Sequence, residues 1–235
     1  MKALIFDCDG VLVDTERDGH RVAFNEAFRE KGLNIHWDVD LYGELLKVAG
    51  GKERMKHFFN TTRWPEDVTD KDSFIRDLHM RKTDLFMKII ERGDLPLRSG
   101  VKRLVDEAIQ AGITLAVCST SNEKAVNLVV QTMLGQERKK AFAGIFAGDI
   151  VHKKKPDPEI YNLATKELGL APASCVVVED SRNGLLSAIN AGMHCLVTIS
   201  HYTREEDFSE AARVVNELGD PPNREIGLED LRKLI

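Results

Sequence analysis

Five short apolar runs, most of them ending at once in a polar cluster, recur along this chain and narrow what it can fold into. The first is Ala3-Leu4-Ile5-Phe6, closed by Asp7-Cys8-Asp9-Gly10. Residues 113–118 end at Ser119-Thr120-Ser121, 144–147 at Gly148-Asp149, and 175–178 at Glu179-Asp180-Ser181; 194–198 is the fifth run. Apolar runs of this length, bounded by turn signals, read as buried strands. Segments of helical pattern lie between them: 101–110, 124–134, 158–168 and 182–191. Strands alternating with helices of that length predict βαβ units, hence an α/β fold on a Rossmann-like parallel sheet.

One stretch breaks the alternation. From Glu16 to Arg92 there is no strand-like run. Apolar residues recur at helical spacing instead: Val22, Phe24, Ala27 and Phe28, then Leu41, Leu45 and Leu46, then Phe74 to Ile90. The pattern predicts an inserted all-α cap domain over 16–93, carried by a core of 1–15 and 94–235 and joined to it by two linkers. The stretch 219–224, with Pro221-Pro222, reads as a loop before a short last helix.

Composition excludes several classes. Lys and Arg number 33 against 38 Asp and Glu, a formal charge of −5 in 235 residues, so nothing draws the chain broadly to nucleic acid or an anionic membrane. No run approaches the ~18 apolar residues of a membrane span. Cys8, Cys118, Cys175 and Cys195 form no C-x-x-C pair, and they read as small buried residues in a reducing compartment. The expectation is a cytoplasmic monomer, or one in the plastid stroma if a transit peptide has been removed. An anionic substrate would then be held by a few local cations.

In an open parallel sheet, ligands bind beyond the carboxyl ends of the strands. The polar clusters can therefore meet at one site. Asp7 and Asp9 are paired carboxylates just past a strand, and Gly10 permits the turn that lets both face one place. Such a pair suits metal binding, or a nucleophile beside an acid/base. A calcium loop starting at Asp7 is ruled out, because Leu12 and Asp18 stand where it needs Gly and Glu. Ser119, Thr120 and Ser121, at a strand-to-helix turn, can cradle phosphate oxygens or simply cap a helix. In Lys153-Lys154-Lys155-Pro156 the first two lysines read as solvated, while Lys155 is restricted by Pro156. Glu179 and Asp180 follow a buried strand, where acids call for a hard cation, unless Asp180 or Ser181 is only a helix cap.

Together these residues resemble the haloacid dehalogenase (HAD) superfamily. Strand-DxDG[VT], strand-[ST], K-P and strand-[ED]D occur in order over nearly the whole chain, and the helical insert resembles that family's C1 cap. The resemblance implies that Asp7 is the nucleophile forming an aspartyl-phosphate and Asp9 the acid that protonates the leaving oxygen. Ser119 and Lys155 would bind the phosphoryl group. Asp7, the Asp9 carbonyl, Asp180 and Glu179 would surround Mg2+. Hydrolytic dehalogenases of the superfamily lack the second aspartate, so Asp9 implies phosphoryl transfer. Phe6 to Leu12, Gly50-Gly51-Lys52-Glu53-Arg54, Lys154 to Pro158, Trp37-Asp38 and Tyr42 to Leu46 are similar to the CbbY-like phosphatases, which implies xylulose 1,5-bisphosphate as the sugar phosphate substrate.

A second phosphate needs its own cations, and the cap holds candidates. Lys52 and Arg54 follow Gly50-Gly51, where backbone can approach a ligand closely, and Arg suits bidentate phosphate contacts. Glu16 and His20, just past the first linker, are candidates for sugar hydroxyls. The alternatives are solvated helix charges, a β-phosphoglucomutase-like phosphomutase that returns the phosphate to the sugar, a phosphatase of phosphoglycolate or another sugar phosphate, and a ligand-binding module without turnover. The presence of Asp7, Asp9, Lys155 and Asp180 argues against the last.

Overall fold

The computed structural model describes residues 1–48 and 50–235, with residue 149 described by its backbone alone. Contacts divide it into two units: residues 1–14 with 95–235, and residues 15–94.

The first unit is built on a parallel sheet of six strands: β1 (Ala3–Phe6), β2 (Thr114–Ser119), β3 (Phe142–Ala147), β4 (Cys175–Glu179), β5 (His194–Thr198) and β6 (Arg213–Val215). Their order is β3-β2-β1-β4-β5-β6. All four residues of β1 and all five of β4 are buried, as both-face coverage of a parallel sheet requires. The chain builds outward from β1 to β2 and β3, then returns to add β4, β5 and β6 on the other side. That reversal opens a crevice at the carboxyl end of β1.

Register decides what meets there. Phe6 pairs with Val117 on one side and Val178 on the other. Asp7, Cys118 and Glu179 therefore stand one step further on, at the same level, and the Asp7 amide donates to Val178 O at 2.9 Å. One face of the sheet packs Ile5, Val177 and Cys195 against Tyr161 and Leu185 of the flanking helices, which span Glu159–Leu168 and Arg182–Asn190. The helix Val101–Gln110 buries Leu104, Val105 and Ala108, the stripe its spacing predicted. All four cysteines are free and buried.

Two features of this unit differ from the sequence reading. Strand β6 went unforeseen: it has three residues, two of them exposed at the sheet edge. The helical stretch at 124–134 starts at Glu123 and changes to a wider π turn over Val130–Leu134.

The second unit is wholly helical. A π turn over Thr15–His20 leads into α1 (Arg21–Glu30), followed by α2 (Val39–Leu46), α3 (Gly51–Thr61) and α4 (Lys71–Arg92). Asp38 caps α2 and Asp70 caps α4 through their side chains, and α4 stops at Gly93 in the left-handed region. The core is aromatic: Trp37 lies 4.8 Å from both Phe24 and Phe28, ring to ring. Asn25 grips the Trp37 backbone on both sides, accepting from its N–H at 2.7 Å and donating to its carbonyl at 2.8 Å. Two apolar residues of the helical pattern face outward. Val22 and Leu41 are exposed, because the inward faces of α1 and α2 are taken by Ala23, Phe24 and Tyr42. Among the described residues no helix is long and apolar enough to cross a membrane.

Candidate active site

The strand tips of the first unit carry a cluster of buried charge. Lys155 is its hub. Its ammonium lies 2.6 Å from Asp7 Oδ1, 2.6 Å from Glu179 Oε1 and 2.9 Å from the Cys118 carbonyl. These three acceptors are the level residues that the sheet register sets side by side. Burial alone would lower the Lys155 pKa, but the carboxylates of Asp7 and Glu179 outweigh it and hold the ammonium charged. Its neighbour Lys154 is corrected: it is half-buried and donates to the Gly148 carbonyl, whereas Lys153 is exposed as expected.

Asp180 completes the cluster. One oxygen each from Asp7, Glu179 and Asp180 lies within 4.8 Å of the others, and all three residues are buried. Burial pushes the Asp7 carboxyl up, Lys155 pulls against that, and the charges of Glu179 and Asp9 add to the rise. Asp180 is raised by burial first, then by Asp7 and Glu179. Beside burial, the cluster carries an excess of negative charge. Three buried carboxylates face one ammonium, which leaves two charges unbalanced. A set of oxygen donors short of two positive charges fits a hard divalent cation such as Mg2+.

Two glycines let this cluster close up. Gly10 has φ +80°, and a Cβ there would lie 2.0 Å from Asp180 Oδ2. A Cβ on Gly184 would lie 1.9 Å from Glu179 Oε2. Helix capping is done elsewhere: Ser181 Oγ accepts from the Gly184 amide, and Asn122 caps the helix after β2. Asp180 and the serines of the 119–121 turn are thus not needed as caps.

Asp9 lies half-buried beside the serine turn. Its Oδ2 accepts from Ser121 Oγ at 2.5 Å and from Ser119 Oγ at 3.3 Å. Ser119 Oγ also accepts the Ser121 amide at 3.1 Å. Thr120, between them, is exposed. The structure therefore brings together Asp7, Asp9, Ser119, Ser121, Lys155, Glu179 and Asp180.

The cap candidates occupy the second unit. Arg54 is buried, not solvated: Nη1 donates to Tyr42 Oη at 2.9 Å and Nε to the Leu45 carbonyl at 3.1 Å. Tyr42 in turn donates to Glu16 at 2.6 Å. His20 Nδ1 lies 2.8 Å from the ammonium of Lys82. Lys52 is exposed. At Gly51 the missing Cβ makes room for His79, whose Nε2 it would meet at 2.7 Å. Lys82 escaped the sequence reading. It is buried between the rings of Phe24 and Phe86, and desolvation drops it to about 8, with Glu16 opposing and Arg54 adding to the fall. Tyr161 and Arg98 also went unread. Tyr161 donates to Glu179, and Arg98 spans the loops behind Asp180.

A parallel sheet whose central tips gather carboxylates, one lysine and a hydroxyl turn defines a phosphoryl-transfer hydrolase. The chain belongs to the haloacid dehalogenase-like hydrolases, whose family model matches residues 1–192. A CBBY-like protein of Arabidopsis thaliana is 58% identical over 230 residues, covering 96% of this chain and 72% of that protein. The crystal structure of CbbY from Rhodobacter sphaeroides in complex with phosphate superposes with a TM-score of 0.78 at 39% identity, covering 99% of both chains. A mutant of that CbbY in complex with xylulose-(1,5)bisphosphate gives 0.78 at 38% identity, covering 98% of this chain and 99% of the other. Within its family the chain is thus a CbbY-like sugar phosphatase.

Proposed function

We propose that this phosphatase is Mg2+-dependent and removes one phosphate from xylulose 1,5-bisphosphate through a phosphorylated Asp7. The observation that carries the reading is the Lys155 ammonium lying 2.6 Å from both Asp7 and Glu179, amid three converging carboxylates. A carboxylate cannot approach a phosphate dianion unless positive charge offsets the repulsion. Lys155 supplies one charge at the attacking residue. Asp7, Asp180, the Asp9 carbonyl and Glu179 are the residues that would hold Mg2+, which supplies the remaining neutralisation when bound.

Asp7 attacks phosphorus, and the P–O bond to the sugar breaks in line with it. Asp9 gives its proton to the departing sugar oxygen, then takes one from the water that releases phosphate from Asp7. The hydroxyls of Ser119 and Ser121 hold the Asp9 carboxyl in place, and the 119–121 turn offers donors to phosphate oxygens. The substrate assignment is supported by the relative that binds xylulose-(1,5)bisphosphate at 38% identity.

The test is phosphate release from a panel of sugar mono- and bisphosphates, with Mg2+ and with chelator. Xylulose 1,5-bisphosphate should give the highest kcat/KM, and chelator should abolish turnover. Turnover that survives chelation would sink the metal requirement. A better substrate elsewhere in the panel would replace the sugar, and an isomeric sugar phosphate in place of free phosphate would make the enzyme a mutase.

A further inference from the structure

We propose that Arg98 is the positioning residue of the cation site, a clamp that holds the Asp9–Gly10 turn and the loop after β5 against the Asp180 carboxylate. The inference rests on the metal reading above. Arg98 is half-buried on the segment that re-enters the first unit, beside the antiparallel bridge of Val13 and Leu97. Its own amide donates to the Leu12 carbonyl at 2.9 Å, which fixes it next to the Asp9–Gly10 turn.

The guanidinium then reaches in three directions. Nη1 donates to the Gly10 carbonyl, to Thr198 O at 3.1 Å and to Thr198 Oγ1 at 3.2 Å. Nη2 donates to Ile199 O at 2.7 Å and Asn216 O at 2.8 Å. Two of these contacts bear on Asp180, the first directly and the second through the loop to Ser200. Gly10 is the residue packed so tightly on Asp180 that a Cβ would strike its Oδ2. Thr198 and Ile199 lead into the buried Ser200, whose hydroxyl, like the Arg98 charge, pulls against the rise of the Asp180 carboxyl. Ser200 is itself fixed, its amide and hydroxyl meeting Thr203 Oγ1 at 3.0 and 2.9 Å. Asp180 thus lies against the Gly10 turn, and one guanidinium ties that turn to the loop that carries Ser200. Lysine cannot reproduce this: it has three donors on a single atom, whereas arginine presents five in a planar fork.

A plain structural rivet would affect folding stability alone. A positioning residue would also change how well the cation is held, because residues behind metal ligands usually alter affinity by about 10–100-fold. The experiment is calorimetric titration of Mg2+ into the full chain, for the parent, Arg98→Lys, Arg98→Met, Ser200→Ala and Arg98→Lys/Ser200→Ala. Thermal unfolding and phosphate release are followed beside it. In Arg98→Lys the Mg2+ Kd should rise about tenfold or more, and kcat at saturating Mg2+ should fall by less than about threefold. Because Arg98 and Ser200 act on the same carboxylate, the double variant should lose less than the product of the single losses. A parent that binds no Mg2+ would bring down the metal reading itself. A parent that binds, with Arg98→Lys within about twofold of it, overturns the role of Arg98 alone, whatever happens to the unfolding midpoint. If Arg98→Met does not fold, the lysine variant and the cycle with Ser200→Ala decide.

Discussion

Tyr161 donates its phenolic hydrogen to Glu179 Oε1, the same oxygen that lies 2.6 Å from the Lys155 ammonium. The ring also lies under that ammonium, 5.2 Å from its centroid. One buried carboxylate is therefore shaped by a phenol and a cation together, and the cation in turn meets Asp7. Tyr161→Phe keeps the ring and deletes the donor. Losing a hydrogen bond to a buried charged group costs about 1.5–3 kcal/mol. The variant should fold, with a lower unfolding midpoint and a kcat about tenfold below the parent. An unchanged kcat would show that Glu179 and Lys155 hold their places unaided.

Asp7→Asn removes the attacking group and one of three crowded carboxylates. Phosphate release should drop below detection. Stability without Mg2+ should stay level or rise, since burial and neighbouring acids already push Asp7 toward its neutral form. Calorimetric unfolding in chelator reads the second point. A marked fall in the midpoint would mean that the ion pair with Lys155 outweighs the crowding.

The catalytic half of this site was legible because its acids and serines end a buried strand or follow it, while Lys155 was marked by Pro156. Once Ala3–Phe6, Thr114–Ser119 and Cys175–Glu179 are read as neighbouring parallel strands, Asp7 must come to the tips of the other two, level with Cys118 and Glu179. The supporting groups carry no such signal. Tyr161 reads as one more large residue on a helix, and only the fold aims its hydroxyl at Glu179. Lys82 is one of several cations on the 22-residue α4, and nothing local says that it is the buried one. The Arg98 guanidinium meets four residues from 88 to 118 positions away in sequence, a distance no periodicity spans. Arg54 was read as a candidate for a second phosphate, and its immediate partners are Tyr42 and Leu45.

Gly184→Ala sets two effects against each other. Within a helix, Ala is ordinarily better than Gly by about 1 kcal/mol. Here the new methyl would meet Glu179 Oε2 at 1.9 Å, and Glu179 cannot withdraw while Lys155 and Tyr161 hold Oε1. Overpacking of this kind costs about 1–3 kcal/mol, so the variant should be less stable and less active. A stabilised and fully active Gly184→Ala would show that Glu179 can move freely.

Arg54→Ala probes the cap. The guanidinium holds Tyr42, which holds Glu16, so truncation loosens a buried chain of three polar groups. If that chain serves a second phosphate, kcat/KM for bisphosphates should fall at least about tenfold more than for monophosphates, the range of one lost charged contact. Equal losses on both substrate classes would reduce Arg54 to a support of the helical unit.

Lys82 gives the helical unit a pH signature. Its ammonium titrates near 8 in the fold, against about 10.4 in an unfolded chain. Between those values the unfolded chain binds more protons, so stability rises with pH across that window. Below about pH 8 the lysine is charged in both states, and its burial opposes folding by about 3 kcal/mol. Lys82→Met removes that penalty and keeps much of the contact with Phe24 and Phe86, at the loss of the His20 partner. The variant should be more stable than the parent at pH 7, by about 1–3 kcal/mol after the lost contacts are counted. Its stability should climb less between about pH 8 and 10. Urea unfolding across that range measures both, and parallel curves for the two proteins would mean that Lys82 does not titrate there.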